Sequence, residues 1–106
     1  MNAAPDVDRL FHALGDPTRR AIIGRLSLGP SSASALAAPL GVTVTAIGQH
    51  LQVLEACRLV RTEKIGRTRT CRIEPAGFEA LERWLAWHRT LWTGRLDRLG
   101  DVLAGD

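Results

Sequence analysis

Residues 43–60, TVTAIGQHLQVLEACRLV, constrain this chain more than any other stretch. They predict one helix with two unlike faces. Ile47, Leu51 and Leu54 recur at i, i+4 and i+7, an apolar stripe that has to be buried. The opposite face carries Thr45, Ala46, Gln49, His50 and Gln52, small or neutral hydrogen-bonding residues without a carboxylate among them. Thr43 is a suitable N-cap, because its hydroxyl can accept from amides of the first turn. A helix of this kind suits a DNA major groove, where Gln and His reach base edges and acidic side chains would be repelled by phosphate. An ordinary amphipathic surface helix fits the segment equally well. The choice between them rests on the rest of the chain.

Upstream, Ser31-Ser32 opens a short helix from Ala33 to Leu40 with Leu36 and Leu40 inward, and Pro39 in its last turn predicts a frayed or tight end. Gly41 supplies the turn before Thr43. A short helix, a glycine-containing turn and a capped helix make the helix-turn-helix layout. Nearer the N-terminus, Asp6 can cap a helix whose Val7, Leu10, Phe11 and Leu14 form one stripe, and Gly15 ends it. Asp16-Pro17 restarts the chain, Asp as N-cap and Pro at the first helical position, where its missing amide costs nothing. This second helix is expected to run to about Leu28, burying Ala21, Ile22, Ile23 and Leu26, before Gly29-Pro30 stops it.

After Val60 the period changes from that of a helix to that of strands. Arg61 to Ile65 and Thr68 to Ile73 flank Gly66-Arg67 and predict a two-stranded hairpin with a basic, acid-free tip. An isolated hairpin is marginal, so it must pack on the helices as a wing. From Pro75 to about Leu103, Phe78, Leu81, Leu85, His88, Trp92, Leu96, Leu99 and Leu103 recur at close to 3.5-residue spacing, widened by Trp84 and Leu91. Such a helix, about 40 Å long at 1.5 Å per residue, outreaches the body available to cover it. Gly94 and Gly100 weaken it by roughly 1 kcal/mol each, which burial against a second copy would offset. Three tryptophans without a tyrosine agree with a large apolar contact.

The expected architecture is therefore mainly α with a small β-hairpin: a winged helix-turn-helix in the order α-α-α-α-β-β-α, homodimeric. Its 106 residues fit one domain, with 1–15 and 76–103 as dimerisation helices, 33–57 as the helix-turn-helix and 59–74 as the wing. Charge is distributed to match. Between Pro17 and Arg72 nine Arg and Lys stand against Glu55 and Glu63 alone, whereas both ends are mildly acidic, within a net charge of +3. A basic middle is the electrostatic footprint of a nucleic-acid face. No apolar run approaches the roughly 20 residues of a membrane span, and MNAAPDVDRL has no secretory pattern. A cytoplasmic location is the simplest expectation.

DPTRRAIIGRL (16–26), ALAAPLGVTVTAIGQHLQVLEACRLV (35–60) and GRTRTCRIEP (66–75) together resemble the ArsR/SmtB family of winged helix-turn-helix repressors, over nearly the whole chain. The tail, with W-x-x-R-L-x-x-L, is similar to the subgroup lacking the described metal motifs. The resemblance implies a homodimeric transcriptional repressor on an inverted-repeat operator, released by a small-molecule or redox effector. It places Thr43, Thr45, Ala46, Gln49 and His50 at the DNA groove, and Lys64, Arg67 and Arg69 on flanking phosphates or the minor groove. One of Arg19 and Arg20 is expected to be structural, paired with Asp16. Leu10, Phe11, Leu85, His88, Trp92, Leu96 and Leu99 are the expected dimer contacts. Where Gly48 stands the family commonly has serine, and glycine is frequent near Cys57-Arg58.

The segment SSASALAAPLG holds no metal-ligating residue, and His88, Asp97 and Asp101 on the last helix lack a second histidine. No metal or cofactor is expected. His12 and His88 read as surface or interface histidines. Cys57 and Cys71 are too few for a disulfide scaffold. They read first as small buried hydrophobes. The functional reading is a thiol switch tethering helix to wing, with Arg58 and Arg72 favouring thiolate. An enzyme is disfavoured: there is no nucleophile–base spacing, phosphate loop or paired carboxylates. The competing class is a winged-helix protein-interaction module, against which the acid-poor helix face and basic wing both speak.

Overall fold

A computed structural model describes residues 6–104. The side chains of Leu96, Asp97, Leu99, Asp101, Val102 and Ala104 lie outside the described set. Capping chemistry sets the first elements. Asp6 accepts from Asp8 N and starts α1, Val7–Leu14. Asp16 accepts from Arg19 N, with Pro17 in the first turn, and starts α2, Pro17–Leu26. α2 stops two residues short of the expected Leu28, which stands 88% exposed. Ser31–Ser32 form a two-residue strand, β1. Ser32 also caps α3, Ala33–Leu40, and Gly41 ends that helix in the left-handed conformation (φ 67°). Val42 N then reaches Ala37 O at 3.2 Å and Gly41 N reaches Ala38 O at 3.1 Å, the paired bonds of a Schellman stop.

Thr43 caps α4, Val44–Ala56, through a 3.0 Å bond from Ala46 N. α4 does not continue to Val60 as its pattern predicted. Leu59 N bonds Leu54 O and Arg58 N bonds Glu55 O, at 2.9 and 3.0 Å. This is again a Schellman closure, with Arg58 at φ 62° in the glycine-like position. Leu54 and Leu59, both fully buried, make its apolar contact. The turn delivers the chain directly into β2, Val60–Ile65, which pairs antiparallel with β3, Thr68–Ile73. Of the two central turn residues only Gly66 has positive φ (63°), as in a type II′ hairpin.

The periodicity did not announce β1. It pairs with β3 at Ser31↔Cys71 and Ser32↔Thr70, giving a three-stranded sheet in the order β1-β3-β2. Two serines carry no β-branched signal; a partner's free edge is what recruits them. Directly opposed residues share a face. Val60/Ile73, Thr62/Cys71 and Lys64/Arg69 thus lie on one side, with Val60 and Cys71 buried there.

The core collects Leu10, Ile22, Leu36, Ile47, Leu54, Leu59 and Cys71 as its largest fully buried side chains. α5, Pro75–Ala104, begins against this core through Ala80, Phe78 and Leu81, then leaves it. The radius of gyration is 18.5 Å, against about 13 Å for a compact chain of this length. Leu85, Trp87, Leu91 and Trp92 are 44–63% exposed. Phe11 packs edge-on against Trp84 at 5.1 Å, joining α1 to α5. Leu10 corrects an expectation: it is wholly enclosed in its own protomer, because the α1 stripe splits, Leu10 inward and Phe11 outward.

Candidate nucleic-acid interface

α4 presents Thr43, Thr45, Gln49 and Gln52 exposed, with Ala46 half-buried beside them. Its one carboxylate does not disturb this neutral surface. Glu55 Oε1 accepts from both Thr62 N (3.1 Å) and Thr62 Oγ1, so the charge is spent fastening the end of α4 to β2. Gly48 is half-buried, and a Cβ there would meet nothing within 4 Å. With Ala33, Val44, Gln52, Glu55, Thr62 and Arg69 it lines a cleft of about 170 Å³ between α4 and the wing.

The wing separates its charges by face. Glu63 and Glu74 are taken by Arg61 and Arg72, at 3.5–3.8 Å. Lys64 and Arg69 oppose each other on the other face, and Arg67 sits in the turn; all three are exposed and, among the described residues, make no ion pair. The sequence placed these cations in one hairpin. The strand register puts Arg69 on the cleft shared with α4.

His50 is tethered along its Nδ1 edge rather than free. It is half-buried, and its Nδ1 lies 3.3 Å from Arg19 Nη1 and 4.0 Å from Asp16 Oδ2. Arg19 also donates from Nε to Ala13 O (2.7 Å) and from Nη2 to His12 O (3.1 Å). Arg20 Nη1 donates to Leu14 O at 2.8 Å. Both arginines therefore satisfy the open carbonyls of the α1 C-terminus, where cationic donors are favoured. The expected Arg–Asp16 pairing is instead a backbone contact: the Arg19 amide, more than any charge, draws the Asp16 carboxyl below its ordinary 3.8. Sequence reasoning saw the arginine pair but not its acceptors, which lie six or seven residues back across a turn.

Both cysteines are free and buried, at 2% and 0% exposure. Burial pushes both thiols up from 9.0. The opposing charges are Arg19 and Arg9 for Cys57 and Arg69 for Cys71, not the sequence neighbours Arg58 and Arg72, and they do not outweigh desolvation. Cys57 Sγ lies 3.4 Å from Val53 O and 3.5 Å from Leu54 O on its own helix.

Of the dimer contacts expected on α1 and α5, Phe11, Leu85 and Trp92 are exposed. His88 is half-buried, stacked on Trp84 at 3.9 Å with Nδ1 2.9 Å from Trp84 O. The Leu96 and Leu99 side chains fall outside the described residues. Trp87, which the 3.5-residue spacing skipped, is the most exposed tryptophan at 63%.

A family model described as a helix-turn-helix domain matches residues 14–63. The HTH-type transcriptional regulator Rv2034 of Mycobacterium tuberculosis is 41% identical over 105 residues, covering 95% of this chain and 98% of its own. The crystal structure of the ArsR family transcriptional regulator RHA00566 is 46% identical, covering 82% of this chain and 96% of its own, with a TM-score of 0.76. This chain belongs to the ArsR family. Its winged helix-turn-helix also matches the homodimeric winged helix-turn-helix DNA-binding domain Mb0332 from Mycobacterium bovis. That match is 26% identical over 87% of this chain and 82% of that one, with a TM-score of 0.63. As an ArsR family member the protein is a DNA-binding transcription regulator and not an enzyme. Among the described residues of this ArsR family chain, no three His, Cys, Asp or Glu side chains gather as a metal site, and no helix is long and apolar enough to cross a membrane.

Proposed function

We propose that the protein is a cytoplasmic homodimeric repressor that lays α4 of each protomer in the major groove of a pseudo-palindromic, inverted-repeat operator. Thr45, Ala46 and Gln49 meet base edges, Thr43 meets phosphate, and Lys64, Arg67 and Arg69 meet the flanking backbone. The observation carrying this reading is the pairing of surfaces: an exposed α4 face with its one carboxylate turned away onto Thr62, beside wing cations without acidic partners among the described residues. In a two-fold dimer the half-sites should lie about one helical turn apart.

Release from the operator fits a small-molecule effector better than thiol oxidation, because both cysteines are buried with the neutral thiol favoured.

Duplex binding measured against salt tests the DNA assignment. Gln49→Ala should cost about 1–3 kcal/mol on the preferred sequence, with little change on unrelated DNA. Arg67→Ala should weaken all sequences alike and lower the salt slope by about 0.9 for each phosphate that is no longer neutralised. Equal losses of affinity from both variants with unchanged slopes would defeat the proposal.

A further inference from the structure

We infer that Arg19 is a specificity-positioning residue: it holds His50 as the Nε2–H tautomer, so that α4 offers the DNA a hydrogen-bond donor of fixed place and polarity. The inference rests on α4 being the recognition helix. Its geometry begins with an asymmetry of chemistry. A guanidinium can only donate, so at the 3.3 Å separation of Arg19 Nη1 from His50 Nδ1 the ring nitrogen has to accept. The Asp16 carboxylate, which would call for a proton on Nδ1, is 4.0 Å away and outside hydrogen-bond range. In the neutral ring the proton then resides on Nε2, the tautomer being set by the bond its other nitrogen makes.

The arginine is itself fixed. Nε and Nη2 are bound to Ala13 O and His12 O, which sets the guanidinium plane and leaves Nη1 aimed at α4. The Arg19 amide is meanwhile anchored on the Asp16 carboxylate at 2.9 Å. His50 Nε2 makes no hydrogen bond to any described residue and is not among the enclosed unpartnered atoms. It remains reachable from solvent. A donor there pairs with N7 of guanine or adenine, guanine O6, thymine O4 or a phosphate oxygen, and not with the exocyclic amines of adenine or cytosine.

Two measurements test this on the full chain. Long-range nitrogen–proton NMR of the free protein reads the tautomer directly. The expected spectrum has His50 unprotonated at Nδ1 and protonated at Nε2; a dominant Nδ1–H form overturns the inference without reference to DNA. Selection from a random duplex pool reads the consequence. His50→Asn keeps an acceptor near the place of Nδ1 for Arg19 but removes the donor at Nε2, whereas Arg19→Met keeps the donor and frees the ring. Both should lose preference at the same base pair by about ten- to a hundred-fold, with the other positions unchanged. A merely structural role for His50 would be met by asparagine, so wild-type preference in His50→Asn overturns the inference, as does loss at different base pairs in the two variants. If Arg19→Met does not fold, the tautomer and His50→Asn still decide. A wild-type protein selecting no sequence would defeat the reading of α4 itself, while the tautomer result continues to judge the Arg19 link.

Discussion

Arg58 bears a backbone conformation that its side chain disfavours. Its φ of 62° is the one positive value outside glycine among the described residues. A Cβ in the left-handed region costs roughly 1–2 kcal/mol, so Arg58→Gly should raise stability by about 1 kcal/mol in urea unfolding. Opposite it, Gly77 donates to Arg58 O at 2.8 Å, and a Cβ on Gly77 would stand 2.6 Å from that oxygen. Backbone on both sides leaves no flexible group to yield, so Gly77→Ala should destabilise by about 1–3 kcal/mol. Asp16 carries a pH dependence instead. Its folded-state carboxyl lies below the ordinary 3.8 because it accepts from the Arg19 amide. The stabilisation it gives is present above that value and is lost as pH falls through the lowered one. Asp16→Asn keeps a capping oxygen without the titration. Melting temperature followed into acid should therefore decline less steeply in the variant than in the wild type.

At the scale of elements, the sheet and α4 meet at the two cysteines. Cys57 closes α4 and Cys71 lies in the central strand β3, paired on both sides, with Ser31 and Thr62. Their raised pKa values mean that the folded state keeps both neutral until well into the alkaline range; this contribution is complete below 9.0 and fades as pH rises through the elevated values. Neither thiol should react with an aromatic disulfide at neutral pH except at the rate of unfolding. Prompt labelling of either would contradict the burial. These elements also show what could be read beforehand. Caps at Asp6, Asp16, Ser32 and Thr43 fixed helix starts because an N-cap is written in one residue and its next three. The hairpin was legible through Gly66 for the same local reason. The bound of the helix-turn-helix at residue 57 was legible, but the turn that ends α4 there was not, since it depends on an arginine accepting a glycine's geometry. Nor was β1, whose serines become a strand through Cys71 and Thr70, about forty residues away. At the interface, the polarity of α4 and the wing cations were visible in composition. The turning of His50 toward Arg19 was not, because that contact spans 31 residues and leaves no periodic trace.

For the whole molecule, the question is what covers α5. At 100° per residue, Leu85, Trp92, His88, Trp84, Leu91 and Trp87 fall in that angular order along one continuous arc. Trp84 is engaged with Phe11 and His88, while Leu85, Trp87, Leu91 and Trp92 remain exposed. Water-facing apolar area of this extent marks an association surface, and a helix of 30 residues spans about 45 Å, enough for a second α5 to lie along it. A two-fold contact uses each side chain twice. A buried tryptophan at such a centre is worth about 2 kcal/mol or more, so Trp92→Glu should weaken a dimer by about 4 kcal/mol, close to a thousand-fold in its dissociation constant. Sedimentation across a concentration series would show this as a monomer where the wild type is dimeric, with the thermal transition of the winged domain still cooperative. Loss of simultaneous binding to the second half-site should follow, so that the variant binds operator DNA in a single weak step. Unchanged self-association in Trp92→Glu would move the interface off this arc and leave the exposed tryptophans to another partner.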